Sequence, residues 1–371
     1  MAFLMKRIVV KIGSSTLTAG TNELSRSQIV NLVGQIAHLK QTGYQLILVS
    51  SGAIVAGLES LGFPELPKFI PAKQMLAAVG QPRLMNIYSD LFGIYDLSVA
   101  QVLLTRLDLS DRTRYLNARN TLEALLAQDL IPIINENDTV ATEEIRVGDN
   151  DNLSALVSNL IEADLLIMLT DKQGLFTADP DQDQHAVLIP EINGERIPDS
   201  LWKSAGKSSS ETGTGGMYTK IQAADLARRS GTRVVITKGS NPEVILRVVA
   251  GDPQGTQFSA LLSNLESRKR FILAGPKSNG RITVDAGAEE ILRKGKSSLL
   301  PVGVVNVEGE FVRGDTISII NSKDQEIALG LANYDVDSMK CIQGHQSGKI
   351  ESLLGFSYGN ELVHHDNLVV V

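Results

Sequence analysis

Two short stretches, Asn135-Glu136-Asn137-Asp138 and Gly148-Asp149-Asn150-Asp151-Asn152, concentrate carboxylates and side-chain amides where the chain is otherwise mostly apolar. Carboxylates hold an ammonium group or a metal-bound phosphate, while amides and backbone N–H groups hold a carboxylate, so together they suit a small zwitterion. An amino acid is the natural candidate ligand. Asn and Asp also favour turns and helix caps on local grounds, but five consecutive Gly, Asp and Asn residues exceed what one cap requires.

Phosphate chemistry is legible elsewhere. Gly213-Thr214-Gly215-Gly216-Met217-Tyr218-Thr219-Lys220 is glycine-rich and leads straight into helical spacing. Glycines let the backbone approach a phosphate, the following helix offers free N–H groups, and Lys220 adds a full charge. Taken alone, the segment reads equally well as a surface loop ending in a solvated lysine. Lys11 lies among Val9, Val10 and Ile12, where a buried ammonium is costly unless an anion meets it. The competing reading is an edge-strand lysine reaching water. Ser51-Gly52-Ala53 could offer N–H groups and a hydroxyl to a carboxylate, or simply cap a helix.

Other signals exclude. Gly206-Lys207-Ser208 copies the end of a Walker A motif, but Leu201 stands where that motif requires glycine. No Gly-x-Gly-x-x-Gly follows the first strand, which disfavours a dinucleotide-binding fold. The histidines show no metal-ligand spacing, and Trp202 reads as a packing or loop residue.

These groups need a frame. Short apolar runs at 6–12, 45–50, 99–104, 130–135, 164–170 and 233–237 read as buried strands, and 27–41, 112–128, 152–161 and 220–230 carry helical spacing. Their alternation predicts an α/β fold with a mainly parallel sheet sandwiched by helices, whose ligands sit beyond the strands' carboxyl ends. After about residue 260 the texture changes to a basic turn and a Gly-Pro linker, then to short alternating strands. The expected division is a domain over 1–260, a linker over 261–278, and a small β-rich domain with its tail over 279–371.

At 371 residues two domains are the natural reading, and 43% hydrophobic with 21% charged residues is an ordinary globular balance. The single cysteine, Cys341, excludes an intrachain disulfide, and no apolar run approaches the ~18 residues of a membrane span, so a cytoplasmic location is expected. A net charge of −7 points away from nucleic acid. Residues 279–371 hold 8 Lys and Arg against 13 Asp and Glu, a net of −5, which opposes binding of a phosphate backbone there.

Taken in order, Val9-Val10-Lys11-Ile12-Gly13, Ser51-Gly52-Ala53-Ile54, Leu76-Ala77-Ala78-Val79-Gly80-Gln81, Leu116-Asn117-Ala118-Arg119, Ile134 to Asp138, Val147 to Ala155, Leu169-Thr170-Asp171 and Gly213 to Met217 resemble the amino-acid kinase family over about residues 6 to 240. Gly280 to Ala288 and Ser297-Ser298-Leu299-Leu300-Pro301 look like a PUA domain, a small β-barrel. Departures from the pattern are Ser50 where Thr is expected, Tyr218 where a small residue is common, and a Ser-rich loop over 203–210.

The resemblance implies ATP-dependent phosphorylation of the side-chain carboxylate of free L-glutamate, with Mg²⁺, giving an acyl phosphate and ADP as the first step of proline synthesis. By the same resemblance, Lys11 and Lys220 stabilise the transferring phosphoryl group. Asp151 orients the lysines or serves Mg²⁺ through water, and no direct metal ligand is assigned. Ser51, Gly52, Asp138 and Asn150 hold glutamate, with Asp138 meeting its ammonium. Lys11, Thr170, Asp171, Thr214, Gly215, Gly216, Met217, Tyr218, Thr219 and Lys220 line the nucleotide. The resemblance also implies proline as inhibitor, a homo-oligomer (dimer or tetramer), and handover to glutamyl-phosphate reductase. Rival substrates are N-acetylglutamate, aspartate and a nucleoside monophosphate. The acidic clusters favour a free amine over an acylated one. An RNA-binding role for the tail is the rival of a different class.

Overall fold

The computed structural model describes residues 6–66, 69–141, 150–205, 216–261, 277–294 and 297–370. The chain divides into two compact units, residues 1–109 with 118–263, and residues 110–117 with 264–371.

The first unit is built on β1 (Arg7–Ile12), α1 (Arg26–Gln41), β2 (Gln45–Ser50), α2 (Ala53–Ser60), α3 (Ile70–Gly93), β3 (Val99–Leu104), α4 (Arg112–Ala127), β4 (Ile131–Glu136), α5 (Asn150–Leu160), β5 (Leu165–Thr170), β6 (Glu191–Ile192), α6 (Met217–Arg229), β7 (Arg233–Lys238) and β8 (Thr256–Phe258). Of α4, residues 118–127 belong to this unit. The eight strands form one sheet in the order β3-β4-β2-β1-β5-β7-β8-β6. Pairing is parallel from β3 through β7, β8 runs antiparallel to β7, and β6 pairs in parallel with β8. The inner strands carry near-continuous Val, Ile and Leu because both faces are covered.

β1 lies at the centre, with β2 on one side and β5 on the other. The chain therefore leaves β1 towards one edge and later returns to its other flank. This is the reversal at which a crevice opens beyond the strands' carboxyl ends. Side chains alternate along β1. Ile8, Val10 and Ile12 enter a core with Ile29, Leu32 and Ile36 of α1, leaving Lys11 to the opposite face.

Helices α2 and α3 cross with their backbones touching. A Cβ on Gly57 would lie 2.0 Å from Leu76 O, and one on Gly80 only 1.8 Å from Ala53 O. Both glycines are what permit the approach. α3 also contains Pro82, which interrupts its hydrogen-bond ladder.

In the second unit, β9 (Lys277–Val284), β10 (Val304–Glu308), β11 (Thr316–Ile320), β12 (Glu326–Leu331) and β13 (Leu368–Val370) form a sheet in the order β10-β9-β11-β12-β13. β9 and β11 pair in parallel and the other neighbours antiparallel. Ile282, Ile317, Ile319, Ile327 and Tyr334 centre its core. Leu116, from the 110–117 stretch, is buried with Leu329, Leu331 and Val369. Among the described residues no helix is long and apolar enough to cross a membrane.

Candidate active site

One strand end and two helix starts converge in the first unit. Lys11 is the penultimate residue of β1, Asp151 lies in the first turn of α5, and Lys220 in the first turn of α6. Asp151 is fully buried, and its two oxygens divide the neighbours between them. Oδ1 meets Lys11 Nζ at 2.5 Å, while Oδ2 meets Lys220 Nζ at 3.2 Å and accepts a hydrogen bond from Thr219 Oγ1 at 2.8 Å. Burial alone would push this carboxyl up. The two ammonium groups and the hydrogen bonds from Lys11 and Thr219 outweigh it and hold the group down at about 2. Among the described residues, this carboxylate stands between two ammonium groups, with Lys11 and Lys220 only 5% and 8% exposed. Such a site favours an anion.

Helix α6 is anchored from below. Arg228, wholly buried, donates to the carbonyls of Gly194 at 2.6 Å and Glu195 at 2.7 Å and pairs with Asp225. Gly13, after β1, keeps space beside Lys11, since a Cβ there would stand 3.3 Å from Nζ.

Lys220 also borders a cavity of about 360 Å³ lined by Thr170, Asp171, Leu175, Phe176, Asp179, Gly216 and Met217 among others. A ligand of nucleotide size suits it.

On the other side of α5 is a chain of amides. Asn150 Nδ2 donates to Ser51 Oγ and to Asn135 Oδ1, both at 2.9 Å. Asn135 Nδ2 donates to Gln81 Oε1 at 2.8 Å. Gln81, Gln101, Glu136, Asn137 and Asp138 line a second cavity of about 250 Å³, with Ala53, Ala77, Ala78 and Pro82 as its apolar wall. Asp138 is half-buried at its rim. Gly52 turns the chain from β2 into α2 at φ +104°, a conformation that glycine adopts without strain.

Among the described residues no group of three or more His, Cys, Asp or Glu could hold a metal ion. Both oxygens of Asp151 are engaged, so this carboxylate fits a hydrated Mg²⁺ through water, not as a direct ligand. The donor set fits an ion held chiefly by nucleotide phosphates.

The profile of the amino acid kinase family matches residues 6–238. The chain belongs to that family. A PUA domain profile matches residues 280–354. Similar proteins named glutamate 5-kinase share 52% identity in Shewanella amazonensis, covering 99% of this chain and 96% of that one, and 51% in Deinococcus radiodurans, covering 98% and 100%. A third, in Aliivibrio salmonicida, shares 53% over 98% of each chain. Likeness to a solved UMP kinase from Bacillus anthracis is weaker, at 13% identity and a TM-score of 0.46 over 69% of this chain and 97% of that one.

Within this amino acid kinase, Lys11, Asp151 and Lys220 are brought together. Thr170, Asp171, Gly216 and Met217 share the larger cavity, and Ser51 and Asn150 bond each other next to the smaller one. Two further expected nucleotide residues flank these. Thr219 turns inward to Asp151, and Tyr218 packs edge-on against Trp202, ring centres 5.3 Å apart. Gly148, Asp149, Thr214 and Gly215 lie outside the described residues, as does most of the Ser-rich loop.

Three features escaped the sequence reading. Gln81 lay inside a quoted motif without a role, and the helical spacing of Ala77, Ala78 and Gln81 would have placed all three on one wall. Phe176 and Asp179, on the stretch after β5, carried no motif. Ser50, noted only as a departure, shares a buried hydrogen bond of 2.8 Å with Tyr88, whose hydroxyl burial pushes up to about 12 against the opposing effect of that bond.

Proposed function

We propose that this chain transfers the γ-phosphoryl group of ATP to the side-chain carboxylate of L-glutamate, giving γ-glutamyl phosphate and ADP. The observation that carries the reading is the convergence of Lys11 and Lys220 on buried Asp151, with a nucleotide-sized cavity at Lys220. The relatives named glutamate 5-kinase support the choice of acceptor.

A side-chain carboxylate with a pKa ordinarily near ~4.3 is already ionised at neutral pH, so the nucleophile needs no general base. The obstacle is bringing one anion to another. Lys11 and Lys220 offset that repulsion, and Asp151 holds both ammonium groups in place between the ligands. Its low pKa keeps it ionised, so it takes no proton from the reaction. Mg²⁺, when bound with ATP, supplies further neutralisation of phosphate charge. Asp138, at the smaller cavity, is assigned the substrate ammonium, and Ser51 with Gly52, next in the chain to Ala53 of the cavity wall, its α-carboxylate.

An acyl phosphate is open to attack by water, so transfer to glutamyl-phosphate reductase as an early step of proline synthesis is the companion reading. Inhibition by proline, assembly into a homo-oligomer and a cytoplasmic location accompany it on family resemblance.

ADP release with glutamate, N-acetylglutamate, aspartate and UMP, together with trapping of the acyl phosphate by hydroxylamine, tests the proposal. Glutamate is expected to support turnover and yield the hydroxamate. Turnover with another acceptor and none with glutamate would refute the assignment.

A further inference from the structure

The four residues that open α6 go to different places, because successive side chains on a helix are turned by ~100° from one another. Thr219 and Lys220 turn inward to Asp151, and Met217 lines the larger cavity. Tyr218 takes none of these partners. Its ring meets Trp202 instead, with centres 5.3 Å apart and planes at 64°. This is an edge-to-face arrangement, in which the positive rim of one ring meets the negative face of the other.

Trp202, which the sequence alone presents as a packing or loop residue, sits on the short helix Asp199–Ala205. Ser204 and Ala205 of that helix line the larger cavity, as do Gly216 and Met217 at the start of α6. The two rings thus join two walls of one cavity. Tyr218 is 47% exposed, so burial is a poor reason for so large a side chain there, and the contact with Trp202 is the better one. Further along α6, Arg228 donates to the carbonyls of Gly194 and Glu195, shortly before the same short helix. Residues 218 and 228 lie about 15 Å apart along the helix axis, so the two ties together keep α6 from pivoting against this wall.

We infer that Trp202 and Tyr218 are positioning residues for the nucleotide: their contact holds the Ser204–Ala205 wall and the Gly216–Met217 wall of the larger cavity at the separation that ATP needs. Neither ring lines the cavity, so both act through these four neighbours. The labour is divided within one helical turn. The inward bonds of Thr219 and Lys220 place the charge that serves phosphoryl transfer, and the outward ring contact preforms the cavity. A preformed cavity spares the ligand the cost of ordering it, which appears in the affinity for ATP and not in the rate of transfer. The inference rests on the kinase reading above and deepens its nucleotide side.

Kinetics of the full-length chain, with ATP and glutamate varied in turn, test the role. Tyr218→Ser and Trp202→Leu are each expected to raise the KM for ATP by ~3–10-fold, the scale of one aromatic contact, with the glutamate KM and the turnover number within ~2-fold of the unaltered chain. Combined, the two should be no worse than the poorer single variant within ~2-fold, because both remove the same contact. Tyr218→Phe keeps the ring and should restore the KM. Trp202 is the chain's single tryptophan, so its emission should change on adding ADP with Mg²⁺, and the ADP concentration at half-change should rise in Tyr218→Ser by the same factor as the KM. Tyr218→Ser and Tyr218→Phe decide the matter if Trp202→Leu does not fold. An unchanged KM for ATP, losses that multiply in the double variant, equal losses for ATP and glutamate, or Trp202 emission unmoved by saturating ADP would overturn the positioning role. Absence of glutamate-dependent ADP release in the unaltered chain, with ADP still moving the emission, would instead overturn the choice of acceptor and leave the ring contact in its role.

Discussion

At the scale of single residues, Asp151 is the hinge of the site's electrostatics. Lys220→Ala removes one cation from the phosphoryl path while Lys11 still pairs with Asp151 and the amide chain is untouched. The turnover number should fall by ~10²–10³-fold with the glutamate KM nearly unchanged. Steady-state kinetics with unaltered turnover would remove Lys220 from catalysis. Asp151→Asn leaves two buried ammonium groups facing a neutral amide, and breaking a buried pair from one side costs about 3–5 kcal/mol. Urea unfolding at pH 7 should show a loss of that order, and an unshifted midpoint would mean that the charges are not coupled. Acid adds a second signature. The folded pKa of about 2 lies below the ordinary ~3.9, so the carboxylate's stabilisation is present above pH ~4 and is lost as pH falls towards 2. The variant should lack that part of the acid dependence.

At the scale of elements, the α2–α3 crossing fixes the glutamate side. Gly80→Ala drives a methyl group into Ala53 O and Gly57 N, both backbone atoms that cannot swing away. A loss of ~1–3 kcal/mol or more is expected, with a raised glutamate KM because Gln81 rides on the same helix. A melting temperature equal to that of the unaltered chain would show that the helices are free to separate. Pro82 acts in the opposite sense. It has no N–H for the Ala78 carbonyl, and both residues border the smaller cavity. Pro82→Ala restores that donor, so thermal stability should rise while glutamate binding weakens as an acceptor leaves the cavity wall. Unchanged glutamate kinetics would show that the carbonyl serves no ligand.

The same elements show how far the sequence could be read. Buried parallel strands advertise themselves, and Ile8 to Ile12, Leu46 to Val49 and Leu165 to Leu169 were legible because both faces demand Val, Ile and Leu. The 24-residue α3 was not, since Gly80 and Pro82 read as helix breakers. Both are there for what lies beside the helix, close approach at one and the cavity at the other. Lys11 stood out as a charge among apolar neighbours, Asp151 within a dense run of Asp and Asn, and Lys220 at the end of a glycine-rich stretch. Gln81 and Thr219 did not, because a single polar residue on a helix reveals its partner only once the rotation of that helix about its axis is known.

At the scale of the whole molecule, the division in space is not the division along the chain. Residues 110–117 fall inside the kinase profile, yet they pack in the unit that holds the PUA domain. Nothing in their composition announces this, since Tyr115 and Leu116 read as the ordinary apolar face of α4. A chain cut after residue 263 would strip Leu116 of Leu329, Leu331 and Val369, exposing a leucine whose burial is worth ~1.5–3 kcal/mol. Light scattering of that fragment should reveal self-association, and Leu116→Ser should relieve it. A monodisperse fragment without the serine would show that the exposed patch is harmless. Scissors applied at the apparent seam would thus leave a sticky wound, and an assay on the shortened protein would report the injury before it reported anything about the missing piece.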